Sequence, residues 1–540
     1  MISFSNGRKL LLAGCLLVIL NYISLHAQAA ETASTKIQFP NSCSEAVQED
    51  FNNAITLLHS FEYPETTRIF GEIMKVDPDC AMARWGAAMS NWHPLWAPPS
   101  REELEKGAKI LAETESLSAT ERELAYIDAA QAFFSSDDTS THRDRARMFE
   151  SKMSELYASH LDDPEATLFY ALSLLATADP RDKTYAHQFK SAGLLNWVRD
   201  SQPTHPGVLH YLIHSYDFPG LAHLALESAK TYASAAPDSA HAQHMPSHIF
   251  TRLGLWERSI NSNYDSTRSA AEYTVHAQLS GHYDEGLHGM DYLMYAMLQT
   301  ARDDEASELL VELQGIGKTN TENFKVAYTY AASPARYVLE RRQWDDASKL
   351  ELKPVEFLWD DFLWAKTIHH FARGIGAVRS NQVEKARQEL QMIQSLKAGM
   401  TDTTSPYWRE EAMVQAEMLN AWIMYVDGDA AGALELAAAA ADREDAVDKS
   451  PVTPGEVLPA RELYADLLIE SGNYAKSLAQ YRMVLTGSPN RLNALLGAAS
   501  AATHTGDSKL AESYLAKARE QTESGNRHRK GLDQVWSASL

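Results

Sequence analysis

Gly472-Asn473-Tyr474-Ala475-Lys476-Ser477 reads as a turn that opens a helix, and 34 residues later Gly506-Asp507 runs on to Ala511 in the same frame. Glycine suits the left-handed turn, and a small residue at a helix crossing lets two helices approach closely. Pro489 stands between the two copies, where it cannot continue a helix. The phrase recurs near the N-terminus as Phe61-Glu62-Tyr63-Pro64-Glu65-Thr66, followed by Asp77-Pro78, and in the middle as Gly254-Leu255-Trp256-Glu257-Arg258-Ser259. Looser copies end at Ala306, Ala347, Ala386 and Ala433, while Pro203 and Pro237 mark two more repeat ends 34 residues apart. One such helix–turn–helix unit cannot bury its own apolar faces, so neighbours must stack into a solenoid. About ten hairpins are expected on this reading.

Together these phrases resemble the tetratricopeptide-repeat superfamily over most of the chain, most strongly at the C-terminal pair. The resemblance implies an all-α, right-handed superhelical solenoid of TPR-like helical hairpins. The chain divides on this basis into a leader (1–29), N-terminal repeats (30–94), degenerate hairpins (95–200), central repeats (201–345), further degenerate repeats (346–450) and C-terminal repeats (451–540). Pro451, Pro454 and Pro459 read as a short linker before the last two repeats.

Two histidine pairs carry the same period. His210 and His214 are four residues apart, as are His244 and His248, and each member of the second pair lies 34 residues after its counterpart. Four-residue spacing places both imidazoles of a pair on one helix face. In the superfamily the first helix of each hairpin lines a concave groove. That frame places His210, His214 and Asp217 there from one helix, and His241, His244 and His248 from the next. After an insertion of about thirteen residues, it adds His288, Asp291 and Tyr295, then Arg336. His210, His214, His244 and His248 are therefore the expected metal ligands, with Asp217, His241, His288, Asp291, Tyr295 and Arg336 binding a groove ligand or orienting the rings. Nitrogen and carboxylate donors without thiolate suit Zn, Cu, Ni or non-haem Fe. Also open are a metal-free groove for a peptide, protein or small polar ligand, and a polar network that only fixes packing. A metal with an open position would extend the reading to a hydrolase or oxidase, so enzyme activity is left undecided. Pro246, inside the second histidine helix, should kink it.

The segment His241-Ala242-Gln243-His244-Met245-Pro246-Ser247-His248-Ile249-Phe250, with His205-Pro206-Gly207 and Leu287-His288-Gly289-Met290-Asp291-Tyr292, looks like a subgroup of exported bacterial repeat proteins. That resemblance implies fold and export and no particular reaction. Export is also read directly. Arg8 and Lys9, an apolar run over 10–20, and Ala27-Gln28-Ala29 form a cleavable leader for a periplasmic or extracellular protein. The lipobox-like Leu12-Ala13-Gly14-Cys15 follows too short an apolar stretch to be preferred. Cleavage would leave Cys43 and Cys80, a pair expected to form one disulfide in an oxidising compartment and to contribute roughly 4 kcal/mol by closing the loop. The leader holds two basic and no acidic residues, so its removal deepens the net charge from −23 to −25. So acidic a surface is expected to disfavour nucleic acid and anionic membranes, and no membrane-spanning segment is expected beyond the leader.

Weaker signals fall away on inspection. Gly317-Lys318-Thr319 lacks the leading glycine of a phosphate loop, since position 312 is Glu312. Gly374-Ile375-Gly376 reads as close helix packing, and the adjacent His369 and His370 point in different directions on a helix. Trp85, Trp92, His93 and Trp96 read as an aromatic plug at the N-terminal end.

Overall fold

The computed structural model describes residues 37–95, 98–401, 404–447, 453–527, 529 and 531–537. The expected leader (1–29), Cys15 and Trp96 lie outside them. Among the described residues the chain is helical throughout, with a single β-bridge between His282 and Thr319. Paired in order, the helices make twelve hairpins, from Gln48–His59 with Tyr63–Val76 to Leu492–His504 with Ser508–Gln521, and the short Asp533–Ser537 helix follows. The repeat therefore extends through the stretches whose turns are degenerate in sequence. No helix of the described residues is long and apolar enough to cross a membrane.

The two helices of a hairpin are not equivalent. All residues of Pro206–Tyr216 and Asp284–Gln299 are buried, as is most of Phe324–Leu339, whereas Ser508–Gln521 buries only Ala511 and Ala518. First helices form an inner layer and second helices an outer, amphipathic layer, as stacking of hairpins requires. The turn between them has one geometry. Phe61, Gly254, Ala301, Arg342, Asn381, Gly428, Gly472 and Gly506 all take positive φ. Five residues after each stands a small buried residue: Thr66, Ser259, Ala306, Ala347, Ala386, Ala433, Ser477 and Ala511.

The solenoid curls back on itself. The turn at Pro489–Asn490 meets Gly254, and the Trp256 indole N–H donates to the Asn490 carbonyl at 2.9 Å. Arg491 is fully buried against Glu462, Glu340 and Tyr295, and the Leu492 N–H donates to Gln299 Oε1 at 2.9 Å. The segment 453–459, expected as a linker, instead lies buried against the inner layer. Its carbonyls at Thr453, Gly455 and Glu456 accept from Tyr292, Tyr328 and Arg336. These carbonyls have no ladder of their own, so burial forces them onto side-chain donors.

Near the N-terminus the Cys43 and Cys80 sulfurs lie at disulfide distance, tying the first residues to the second hairpin. Trp85 and Trp92 are buried in the N-terminal core, with Trp85 edge-on to Tyr126 and Phe169, and His93 stacks on Tyr63. One apolar cluster runs from Ile37 to Phe250 and the next from Trp256 to Leu467. The histidines lie near where the first gives way to the second.

Candidate metal centre

Three inner helices present the histidines. Pro206–Tyr216 starts on a proline at its first position, and the His205 side chain caps it by accepting from the Gly207 N–H at 3.1 Å. The next inner helix is split into Ala240–His244 and Pro246–Arg252, because Pro246 has no N–H to continue the ladder. Met245 between the pieces keeps helical dihedrals, φ −54° and ψ −35°, so the break does not turn the helix face away. The third helix, Asp284–Gln299, brings His288.

These helices gather six imidazoles as two triads. In each, the candidate ligand atoms lie within 4.8 Å of one another. His210 Nε2 is 3.0 Å from His214 Nε2 and 3.2 Å from His241 Nε2. In the second triad His244 Nε2 is 3.0 Å from His248 Nε2, and the His288 ring centre is 4.1 Å from that of His244. The triads adjoin, with ring centres 6.3 Å apart for His214 and His248 and 6.4 Å for His241 and His244. The two helical pairs read from sequence thus fall in separate triads, completed by His241 and His288. Each triad is covered by an aromatic ring: Phe61, 4.5 Å from His210, and Tyr292, stacked on His248 at 4.9 Å.

The outward-facing nitrogens fix the proton positions. His210 Nδ1 lies 2.6 Å from the His59 carbonyl, which only accepts, so Nδ1 carries the hydrogen. His248 Nδ1 donates to Asp217 Oδ2 at 2.9 Å, and His244 Nδ1 donates to Asn263 Oδ1 at 2.7 Å. Asn263 is itself oriented by its Nδ2 donating to the Ser259 carbonyl at 2.7 Å. Burial, followed by the neighbouring histidines, pushes His210 and His244 well below the ordinary imidazole range, so both are neutral. For His288 burial also dominates, and it too is held well below that range. His244 Nε2 therefore turns its lone pair to His248 Nε2, 3.0 Å away. His210 Nε2 has one lone pair and two imidazole nitrogens beside it.

Nitrogens at these distances are joined either by a proton, as an N–H···N hydrogen bond, or by a shared metal ion. A tetrahedral ion with bonds of about 2.0–2.1 Å holds its nitrogens about 3.3 Å apart, close to the spacings seen here. The outer partners are those expected of metal-bound histidines, which give their second N–H to a carboxylate, an amide or a carbonyl. Neutral nitrogen donors suit Zn, Cu, Ni or Fe, and three ligands leave a coordination position open.

The other expected site residues take different places. Asp217 accepts from His248 and from Arg252 Nε at 3.0 Å, an orienting position. Asp291 is buried, with Oδ1 3.4 Å from Ser333 Oγ and 3.7 Å from Arg336 Nε, while its Oδ2 has no partner. Burial outweighs Arg336 and pushes its carboxyl up to about 6. The Arg336 guanidinium lies 4.7 Å over the Tyr295 ring and is capped by the Gly455 and Glu456 carbonyls. The Tyr295 hydroxyl accepts from Arg491 at 3.1 Å. Asp291, Tyr295 and Arg336 thus form a buried group facing the C-terminal hairpins, and the chain itself occupies the groove in front of Arg336.

Several participants carry no signal in the repeat pattern. Glu285 lies 3.4 Å from His241 Nδ1 and pairs with Lys325. Burial works against its charge, yet Lys325 and His241 hold it well below the usual carboxylate range. Behind the first triad, Glu165 accepts from His59 Nε2 at 2.8 Å and His205 Nε2 at 3.1 Å. Burial opposes its charge too, but the two histidines hold it low. His59 Nδ1 meets the Tyr211 hydroxyl at 2.8 Å, so this group is satisfied and braces the His59 carbonyl against His210. Asn263 is the one participant that periodicity could have revealed: it is a polar residue on the buried stripe Trp256, Ser259, Ile260, Asn263, Ser266 and Ala270.

The chain matches no family model and no curated protein. Among solved structures it is similar to a monomeric IFIT1 mutant with Gppp-AAAA, with TM-score 0.39 and 13% identity over 89% of this chain and 96% of that one. It is also similar to the human IFIT1 dimer with m7Gppp-AAAA, with TM-score 0.37 and 12% identity over 86% and 94%. The P58(IPK) TPR domain aligns at TM-score 0.20 and 14% identity, over 69% and 98%. Likeness at this level says nothing about ligand or activity.

Proposed function

We propose that this solenoid binds two transition-metal ions side by side, one in the triad His210, His214 and His241 and one in the triad His244, His248 and His288. The observation that carries this reading is the convergence of three imidazoles in each triad, with candidate ligand atoms within 4.8 Å of one another and the outward nitrogens of His210, His244 and His248 on a carbonyl, an amide and a carboxylate. Zn and Cu suit three neutral imidazoles better than hard cations do. The reading places the protein in an exported compartment, supported by the leader of residues 1–29 and the paired cysteines.

One observation favours an enzyme over a metal store: three protein ligands per ion leave a place for water or substrate, as catalytic zinc sites do. The reaction class would then be metal-activated hydrolysis or oxidation. A metal-free peptide scaffold fits less well, because the segment 453–456 already caps Tyr292, Tyr328 and Arg336.

The test is metal content by elemental mass spectrometry, on protein purified from its native compartment and after reloading with Zn²⁺ or Cu²⁺. Two ions per chain are expected, falling to one in His210→Ala and one in His244→Ala. A folded wild-type protein that takes up neither ion after reloading would overturn the proposal.

A further inference from the structure

Alone in the first triad, His241 sits on a helix of only five residues, Ala240–His244, as its second residue. So short a piece holds a side chain loosely, and the ring depends on partners from elsewhere. The His241 N–H donates to Glu62 Oε1 at 3.3 Å, and that carboxylate is held in turn by the Ser239 and Tyr283 hydroxyls at 2.6 and 3.0 Å. The ring turns Nε2 to His210, 3.2 Å away, and Nδ1 to Glu285 Oε2 at 3.4 Å. A carboxylate oxygen only accepts, so Nδ1 carries the hydrogen and Nε2 is the nitrogen presented to the triad.

Glu285 is fixed from two sides for this contact. It stands in the first turn of Asp284–Gln299, one turn before His288, the ligand which that helix gives to the second triad. Its other oxygen, Oε1, accepts from Lys325 Nζ on the next inner helix, Phe324–Leu339. Lys325 also pairs with Asp284 Oδ2 at 2.7 Å, and Asn323 Nδ2 donates to the same oxygen at 2.7 Å. Glu285 is buried, so its charge needs both partners: one oxygen lies on a cation and the other on His241. His241, Glu285 and Lys325 thus form a line across three successive inner helices. A carboxylate on the outer N–H of a ligand histidine fixes its tautomer and ring orientation and raises the basicity of the inner nitrogen. We infer that Glu285 is the positioning residue of the first metal site, aiming His241 and strengthening it as a donor. The inference rests on the metal reading of the triads. Its rival is an ion pair between Glu285 and Lys325 that only clamps two hairpins together.

The experiment uses the full chain carrying His244→Ala, which leaves the first site for copper, and titrates Cu²⁺ against a chromophoric chelator. Adding Glu285→Ala should weaken that site about 100-fold and change its Cu²⁺ electron paramagnetic resonance spectrum, with far-UV circular dichroism unchanged. Adding Glu285→Gln instead gives up the ion pair with Lys325 but keeps an oxygen acceptor for His241, so the loss should stay within about tenfold. In the His210→Ala chain, which isolates the second site, Glu285→Ala should alter affinity by no more than about threefold. An unchanged first site in Glu285→Ala, equal losses at the two sites, or equal losses for Glu285→Ala and Glu285→Gln would overturn the inference and leave the metal reading standing. A folded His244→Ala chain that takes up no copper would overturn the metal reading, and this inference with it.

Discussion

His244 binds nothing in its own helix through its outward nitrogen; Asn263 on the next helix takes that hydrogen and thereby aims the Nε2 lone pair inward. Asn263→Ala should therefore lower transition-metal affinity of the second triad by 10–100-fold and leave the first unchanged, read by competition with a chromophoric chelator. His369 is a different case. It is buried in the Leu363–Arg379 helix, while its neighbour His370 turns out to Glu389 at 2.7 Å. Burial, helped by His370, pushes its pKa down to about 3. The unfolded chain then takes up the proton more readily, so the contribution of His369 to stability falls as pH drops from 6.5 towards 3. The loss is about 2 kcal/mol by pH 5. His369→Leu should lose less Tm than wild type between pH 7 and pH 5; an equal loss would remove His369 as a source of acid sensitivity. Periodicity made the six histidines legible as one patch, because i,i+4 spacing and a 34-residue period are local properties. It did not show their partition into triads. That depends on how far Asp284–Gln299 slides past its neighbours, and on Phe61, His59 and Glu165, which arrive from hairpins far away in sequence.

At the scale of the element, the repeat turn explains both what was visible and what was hidden. Glycine marks the left-handed position at 254, 428, 472 and 506, but Phe61, Ala301, Arg342 and Asn381 fill it elsewhere. About ten hairpins were expected and the described residues form twelve, because non-glycine turns blur the phrase while stacking still enforces the conformation. Two glycines separate strain from space. Gly472 has φ +72° and open space where a Cβ would stand, so Gly472→Ala should cost about 1 kcal/mol from backbone strain alone. Gly254 has φ +64°, and a Cβ there would stand 2.2 Å from the Pro489 carbonyl oxygen. Gly254→Ala should cost clearly more and raise hydrogen exchange in both contacting turns; equal, purely local effects at the two sites would contradict the docking described. Pro246 is a legible element-scale break whose outcome required the structure: the helix splits at Met245, yet His244 and His248 keep their shared face.

The whole molecule is a solenoid closed on itself rather than an open groove, and the sequence pattern carried no trace of that closure. Repeat signatures describe contacts between neighbours, whereas Arg491 meets Tyr295 and Glu340 across 196 and 151 positions. Its guanidinium also donates from Nε to Glu462 Oε2 at 2.6 Å, with both side chains fully buried. Arg491→Met should destabilise the protein by about 3–5 kcal/mol, since two buried carboxylates lose their counter-charge. Thermal unfolding should show the C-terminal hairpins melting first, and a single unchanged transition would contradict a docking role. Closure also means that Arg336 and Tyr295 serve the chain's own packing, while the two histidine triads hold the converging nitrogen donors of the interior. The most direct test is a crystal of protein reloaded with Zn²⁺ or Cu²⁺, with anomalous diffraction recorded at the metal edge. Two peaks are predicted, one about 2.0–2.1 Å from ring nitrogens of His210, His214 and His241 and one at the same distance from His244, His248 and His288. A loaded crystal with peaks elsewhere, or none, would contradict the account.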